Sequence, residues 1–331
     1  MAQIDKNDVP AANQLKSGHV FPDRTNRPGP RVLFVGNSIT LHGYAPHIGW
    51  HGVWGMAASS PERDYVHLLK EKILKIRPDA EFCICQVADW ERNWKDGAAT
   101  WELFSEARDF GADLVICRFV ENCPRTEFDP ALFRKNYLEF VDYLNPKGGK
   151  VILSDGFWYH CADPVIRSAA AERGYPFVAL GDLGELDEMK AIGLFEHTGV
   201  ANHPGDAGMA AIAERIFKEV RQIMCPVEKY AWKAIVKDGC LEEYRRRHDE
   251  IWPEMIEVLK AAGIRNYTIW NVGNELFGYY ECEKGADFAA KVQAESPVVA
   301  KWDVYMKDVM VMEMDPVTGA QPRLEKVFEL D

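Results

Sequence analysis

Residues 31–43 read RVLFVGNSITLHG, a nearly continuous apolar run that ends at a glycine and then turns polar. Similar runs follow as EFCICQV, DLVICRFV, KVILSD and PFVAL. Because strands covered on both faces lack polar alternation, these five segments predict buried parallel strands. Segments with helical spacing separate them, which predicts a doubly wound α/β domain over residues 31–225.

A different pattern begins after Cys225. Residues 228–331 read strand (YAWKAIVK), long helix (240–262), two strands (NYTIWNV and ELFGYYECE), helices and a closing strand (LEKVFEL). Asn271–Asn274 forms a plausible turn between the middle strands. The order strand–helix–strand–strand–helix–strand predicts a ferredoxin-like α+β domain.

The middle strand of this second domain is bulky on both faces. Tyr267 and Ile269 alternate with Trp270 and Val272, so each face of the sheet carries large apolar side chains. Helices of a ferredoxin-like domain cover one face only, and the other face needs a second cover. We therefore expect a homodimer.

Composition excludes several classes of partner. The chain has 331 residues and a formal net charge of −12, which argues against nucleic acid and anionic membranes as main partners. The polar segment 1–30 has no apolar signal core, so we expect an extended segment in a cytoplasmic protein. Eight dispersed cysteines predict buried free thiols. His42, His47 and His51 lack metal-ligand spacing, so no metal site is expected.

The stretch EYRRRHDEIWPE, residues 243–254, raises a chemical possibility. Tyr244 and His248 are four residues apart and share one helix face, where a phenol and an imidazole can exchange protons. Pro253 should bend this helix. The alternative is that both rings line the edge of a core while the arginines face water.

Several segments in this half of the chain resemble the L-rhamnose mutarotase family. They are YRRRHDEIWPEM, LKAAGIRNYTIW, ELFGYYE, PVVAKWDVYMKDVM and a closing VFEL, in order over residues 228–331. The resemblance implies interconversion of the α and β anomers of a deoxy hexose without a cofactor. It makes His248 the proton donor, with Tyr244, Tyr267 and Trp302 contacting the sugar.

One position departs from the family pattern. Asp303 stands where the family has a second tryptophan, so a hydrogen-bond acceptor replaces an indole. Asp303 is still expected to contact the sugar, but the preferred sugar becomes rhamnose or another deoxy hexose such as fucose. Glu250, one turn beyond Arg246, is interpreted as a surface partner of that arginine.

The first domain carries a second candidate site. Gly36-Asn37-Ser38 follows the first strand, and His203 precedes the last helix of this domain in the stretch GVANHPGDAG. In a doubly wound fold both positions can meet at the carboxyl edge of the sheet. Trp54, nearby in the chain, is interpreted as a packing residue.

These two motifs resemble the SGNH/GDSL hydrolase family, whose layout implies a flavodoxin-like sheet and ester hydrolysis, often on sugars. The resemblance makes Ser38 the nucleophile and His203 its base. Asn122, in RFVENCP, matches the asparagine of the oxyanion hole, and Ala88 or Asp89 stands at the position of its glycine.

Two features leave the activity of this first site open. Val200 occupies the position of the family's aspartate, so Asp182, Glu196 or a backbone carbonyl must orient His203. Glu121 precedes Asn122, and an inward carboxylate would repel an oxyanion.

Three hypotheses follow. The favoured one is a bifunctional carbohydrate enzyme with an esterase domain and a mutarotase domain. The second keeps the mutarotase and makes the first domain a sugar-binding or dimerisation module. The third is a non-catalytic sugar sensor.

Overall fold

The computed structural model describes residues 18–225, 227–312, 314, 322 and 324–328. The chain divides into two compact units, Met1–Met224 and Cys225–Asp331. No helix among the described residues has the length and apolar character needed to cross a bilayer.

The N-terminal unit is built on a six-stranded sheet. Its strands are β1 (Val20–Pro22), β2 (Arg31–Gly36), β3 (Glu81–Gln86), β4 (Leu114–Arg118), β5 (Lys150–Ser154) and β6 (Phe177–Val178). The sheet order is β1-β3-β2-β4-β5-β6, and all pairs from β3 to β6 are parallel. The five predicted parallel strands are therefore confirmed, in the flavodoxin-like order.

Helices cover both faces of this sheet. They are α1 (Tyr65–Ile76), α2 (Ala88–Arg92), α3 (Ser105–Phe110), α4 (Pro130–Leu144), α5 (Asp163–Arg173), α6 (Thr198–Ala201) and α7 (Asp206–Met224). Alternate residues of β2 enter two different buried clusters, with Leu33 in one and Phe34 in the other. Burial on both faces explains why the strand sequences are continuously apolar.

The segment before residue 31 contributes a strand that the sequence did not predict. Val20–Pro22 pairs antiparallel with Cys83–Cys85 at the edge of the sheet. The prediction of an extended segment over residues 1–30 did not include this pairing, because a backbone edge accepts any segment that supplies N–H and C=O groups. Residues 1–17 of that segment lie outside the described residues.

The C-terminal unit has a four-stranded antiparallel sheet. Its strands are β7 (Glu228–Val236), β8 (Ile264–Val272), β9 (Glu275–Cys282) and β10 (Met310–Val311), and its helices are α8 (Leu241–Asp249), α9 (Pro253–Ala261), α10 (Ala286–Ala294) and α11 (Pro297–Met306). The sheet order β10-β7-β9-β8 is that of a ferredoxin-like fold, as predicted.

Two details of this unit correct the expectations. The predicted helix over 240–262 is two helices, because Pro253 stands at the first position of α9, where its missing N–H costs nothing. The fourth strand is Met310–Val311, whereas Leu324–Phe328 has no regular structure and Leu324 donates its N–H to the Ala231 carbonyl oxygen. The rest of LEKVFEL lies outside the described residues.

Candidate functional sites

Tyr244 and His248 lie side by side on α8. Their ring centroids are 4.3 Å apart with an interplanar angle of 35°. Since a carbonyl oxygen only accepts, His248 Nδ1–H donates to the Tyr244 carbonyl oxygen at 3.0 Å. The neutral imidazole then carries its proton on Nδ1 and leaves Nε2 as the proton acceptor. We call this pair and the cavity beside it the tyrosine–histidine site.

Two adjoining cavities, of about 510 and 570 Å³, open between the helices and the inner face of the sheet. Each is large enough for a monosaccharide, since ligand pockets commonly measure about 300–1,000 Å³. The residues common to both cavities are Tyr244, His248, Met255, Leu259, Tyr267, Ile269 and Trp302. The structure thus brings four of the predicted site residues to one cleft.

The Tyr244 hydroxyl is the most informative atom of this cleft. Tyr244 is buried, and its hydroxyl has no hydrogen-bond partner among the described residues. Leaving a buried hydroxyl without a partner is costly, so a ligand that supplies one would be favoured. Burial also raises the pKa of Tyr244, so the phenol keeps its proton and acts as a donor.

Burial sets the charge of the other titratable rings in the cleft. It lowers the pKa of His248, while the hydrogen bond to the Tyr244 carbonyl opposes this effect. It raises the pKa of Tyr267. At neutral pH the His248 imidazole and the Tyr244 and Tyr267 phenols are therefore all uncharged.

Helix α11 supplies the aromatic wall and the acidic group. The indole of Trp302 stands edge-on to His248, with ring centroids 5.5 Å apart at 89°. Asp303 is exposed and lines the larger of the two cavities, and partial burial raises the pKa of its carboxyl. An aromatic wall beside an acceptor suits a sugar, which has both apolar faces and hydroxyl groups.

Two of the three arginines of α8 have separate roles, one of which was not predicted from the sequence. Arg246 binds Glu243 and Glu250, so the predicted surface pairing with Glu250 is confirmed. Arg247 is buried and holds the Asp308 carboxylate at 2.6 and 3.0 Å, just beyond α11. Arg247 thereby ties the helix of the tyrosine–histidine pair to the end of the helix that carries Trp302.

In the N-terminal unit, Ser38 and His203 meet as expected. The distance from Ser38 Oγ to His203 Nε2 is 2.8 Å, and both residues are half-buried. Gly36 makes this turn possible, because a Cβ there would lie 1.7 Å from the Thr40 hydroxyl oxygen. We call this pair the serine–histidine site.

A backbone carbonyl orients His203. Its Nδ1–H donates to the Gly199 carbonyl oxygen at 2.7 Å, which leaves Nε2 to accept from the serine. Of the carboxylates considered, Asp182 binds Arg215 and Glu196 is exposed. Burial lowers the pKa of His203 to about 4, so the imidazole is neutral at physiological pH.

The predicted oxyanion donors are both engaged. Asn122 Nδ2 donates to Glu91 Oε2 at 2.6 Å, and the Ala88 N–H donates to Gln86 Oε1 at 3.0 Å. Asn122 has a second amide hydrogen and can still serve an oxyanion. Ala88 has only one N–H, so its expected role requires Gln86 to move first.

The Glu121 carboxylate is paired with a cation, so it is not an uncompensated negative charge beside the predicted oxyanion hole. Its carboxylate binds Arg118 at 2.7 Å and accepts the Phe157 N–H at 2.9 Å. Burial by itself would raise the pKa of Glu121, but the Arg118 guanidinium reverses the effect and holds the pKa below its ordinary value. Arg118 and Glu91 are both buried beside this site, and neither was predicted from the sequence.

Two further expectations concern the segment after Ser38. Trp54 packs edge-on against Trp50, with centroids 5.5 Å apart, and its indole N–H donates to the Ala58 carbonyl oxygen. His42 is buried and hydrogen-bonds the Gly43 carbonyl oxygen at 2.7 Å. Among the described residues, no group of His, Cys, Asp or Glu is arranged to hold a metal ion.

Fold and cavity together define the C-terminal unit as a ferredoxin-like domain with an aromatic site for a small polar ligand. A family model for L-rhamnose mutarotase matches residues 229–330. An L-rhamnose mutarotase of Jannaschia sp. is 39% identical over 107 residues, covering 31% of this chain and 99% of that relative. The chain belongs to the L-rhamnose mutarotase family.

Solved structures also align with the N-terminal unit. A two-domain esterase active on acetylated mannans is 20% identical, with a TM-score of 0.39, over 59% of this chain and 49% of that one. A psychrotrophic esterase from Pseudoalteromonas sp. is 10% identical, with a TM-score of 0.42, over 59% of this chain and 98% of that one.

Proposed function

We propose that the C-terminal unit interconverts the anomers of a six-carbon deoxy sugar, with L-rhamnose as the first candidate. The observation that carries this proposal is the buried Tyr244 hydroxyl without a partner, in the same cleft as His248. The Tyr244 hydroxyl can bind a sugar oxygen, while His248 moves a proton between the anomeric hydroxyl and the ring oxygen.

His248 Nε2 is the atom that exchanges protons. In ring opening it takes the proton of the anomeric hydroxyl, the bond from the anomeric carbon to the ring oxygen breaks, and the carbonyl forms. The imidazolium then donates that proton to the released ring oxygen, which is attached to the same carbon before the bond breaks. The reverse steps close the ring on either face, so no proton is gained or lost overall.

The same cleft accounts for the other sugar contacts. Tyr244 O–H donates to a sugar oxygen, Tyr267 offers a second protonated phenol, and Trp302 packs on an apolar face of the ring. Asp303 accepts hydrogen bonds from sugar hydroxyls and selects among deoxy hexoses.

Exchange NMR on the anomeric protons of a panel of deoxy hexoses tests this function. Purified protein should accelerate exchange for at least one of L-rhamnose and fucose, and Asp303→Trp should change the order of preference. Acceleration for none of the sugars would support the sugar-sensor hypothesis instead.

For the N-terminal unit we propose serine ester hydrolysis on a carbohydrate ester, carried by the 2.8 Å contact between Ser38 Oγ and His203 Nε2. His203 takes the serine proton as Oγ attacks the acyl carbon. The leaving sugar oxygen receives that proton when the tetrahedral intermediate collapses, and water then releases the acid and restores Ser38. The rival proposal is a non-catalytic sugar-binding or dimerisation domain.

Hydrolysis of p-nitrophenyl acetate and of acetylated sugars by wild type and Ser38→Ala separates these two proposals. Loss of hydrolysis in the variant supports the esterase, whereas equal rates support the rival. Retained anomer exchange in the same sample shows that the C-terminal unit is folded, and an unchanged amide spectrum of the N-terminal unit shows the same for the unit that carries the substitution.

Two wider features belong to the proposal. Strand β8 exposes Val272 (72%) and Trp270 (58%), which also borders the smaller cavity, and this apolar surface supports a homodimer through β8. Sedimentation of wild type and Trp270→Lys tests the homodimer.

All eight cysteines are free thiols, which supports a reducing, cytoplasmic location.

A further inference from the structure

A buried polar network lies against the serine–histidine site and has no part in the steps above. Asn37, Glu91 and Arg118 are fully buried in it. Arg118 Nη2 donates to Asn37 Oδ1 at 2.5 Å, and Arg118 also binds Glu121. Charged groups are rarely buried so completely without a purpose at a nearby site.

Glu91 is the centre of this network on the side of the predicted oxyanion hole. Its Oε1 accepts from Asn37 Nδ2 at 2.9 Å, and its Oε2 accepts from Asn122 Nδ2 at 2.6 Å. One carboxyl group therefore bridges the residue that precedes the nucleophile and the amide expected to bind the oxyanion.

The bridge fixes the direction of the Asn122 amide. A side-chain amide has one acceptor end and one donor end of nearly equal size, so its orientation depends on its partners. A carboxylate accepts only, so it holds the donor end of Asn122 toward the interior. One N–H is bound to Glu91, and the second N–H remains for a ligand.

We propose that Glu91 is a positioning residue of the serine–histidine site, whose carboxylate holds the amides of Asn37 and Asn122 so that the free N–H of Asn122 meets the oxyanion. The proposal rests on the proposed esterase function. Glu91 acts through Asn122 and does not touch the substrate.

The ionisation of Glu91 makes this role dependent on pH. Burial raises the pKa of Glu91 to about 7, and the Glu121 carboxylate adds to this, while hydrogen bonds from Asn122 and Asn37 and the charge of Arg118 oppose it. The thiol of Cys123 and the phenol of Tyr137 also face Glu91. Only the ionised carboxyl accepts from both amides at full strength, so positioning improves as the pH rises through 7.

Ester hydrolysis as a function of pH tests the proposal. Wild-type kcat should rise through pH 7, whereas Glu91→Gln, which has one acceptor oxygen, should stay near the low plateau of wild type from pH 5 to 9. A buried carboxyl elsewhere in the same unit supplies a matched control, since Asp155→Asn should keep the wild-type profile. A wild-type rate that falls through pH 7 would overturn the proposal, because it would mean that the negative charge opposes the oxyanion.

A double-mutant cycle tests whether Glu91 works through Asn122. Asn122→Ala should lower kcat about 10²–10³-fold, as loss of an oxyanion donor does. Glu91→Ala should lower kcat about 10-fold or more with little change in KM, and the double variant should match Asn122→Ala alone. Fully additive losses would contradict the proposal.

A measurement without turnover separates this proposal from the esterase itself. In protein labelled with ¹⁵N-asparagine, the side-chain resonance that Asn122→Ala removes should shift as pH passes through 7 in wild type and stay constant in Glu91→Gln. If it does so and no hydrolysis depends on Ser38, the esterase fails while the positioning geometry stands. If the pH dependence of the Asn122 resonance is the same in wild type and in Glu91→Gln, the positioning proposal fails whatever the hydrolysis assay shows.

Discussion

The two sites use the same histidine geometry for different chemistry. In each, Nδ1 is bound to the backbone carbonyl oxygen four residues earlier, at 2.7 Å for His203 and 3.0 Å for His248. In each, burial lowers the imidazole pKa. The difference lies in what Nε2 meets, since His203 faces the Ser38 hydroxyl and His248 lines an open cleft.

This difference separates a nucleophile from a proton carrier. A hydroxyl fixed on Nε2 is ready to form a covalent bond to substrate, whereas a free Nε2 beside a cavity can serve a substrate oxygen directly. The comparison shows that the partner of Nε2, rather than the orientation of the ring, decides which reaction an imidazole supports.

The largest expected effect concerns the nucleophile. Ser38→Ala should reduce ester hydrolysis about 10⁴-fold or more and leave anomer exchange unchanged, since a proton carrier alone cannot replace the serine. Parallel assays of both reactions on the same preparation check this. Hydrolysis that persists in Ser38→Ala would remove the distinction between the two sites.

A smaller loss is expected at the phenol of the second site. Tyr244→Phe removes only the buried hydroxyl, so anomer exchange should fall about 10–10²-fold while ester hydrolysis stays constant. Tyr230→Phe is the matched control, because Tyr230 lies outside both cavities. Equal exchange in Tyr244→Phe and wild type would show that the unpartnered hydroxyl does not bind sugar.

The pH dependence of anomer exchange reports the protonation state of His248. His248 must be neutral to accept a proton, and its pKa lies below the ordinary 6.5. The exchange rate should therefore rise with pH through a midpoint below 6.5 and be constant above 7, which exchange spectroscopy from pH 4 to 9 will reveal. A rate that falls over that range would mean that the imidazolium starts the reaction.

The smallest effect concerns the support of α8. Arg247→Met should lower the free energy of unfolding measurably, because it removes a guanidinium that binds both Glu243 and Asp308. Arg245→Met on the same helix should change it by less than about 0.5 kcal/mol. Amide hydrogen exchange in α8 measures the effect of each substitution. Equal effects would show that Arg247 does not stabilise α8 more than Arg245 does.

Apolar periodicity predicted the fold better than the polar details. The five parallel strands were visible because burial on both faces leaves no polar residue in segments such as Val32–Val35. The edge strand Val20–Pro22 was not, since pairing through the backbone leaves little trace in side chains. The sequence predicted a break in the helix at Pro253, but whether a proline bends a helix or begins a new one depends on packing.

The predicted site residues were brought together where a motif fixed their spacing. Tyr244 and His248 follow from one helical turn. The Gly199 carbonyl could not be foreseen, because every residue has a carbonyl and only tertiary structure selects one. Glu91 and Arg118 were missed for a related reason. They lie on separate elements, and the spacing of buried charges on separate elements follows no recognisable sequence pattern.

Anomeric exchange NMR with L-rhamnose, comparing wild type, His248→Ala and Ser38→Ala, measures whether His248 carries the proton. We predict fast exchange with wild type and Ser38→Ala, and a rate about 10²–10⁴-fold lower with His248→Ala. Undiminished exchange in His248→Ala would rule out this role, because a group other than His248 Nε2 would then be transferring the proton.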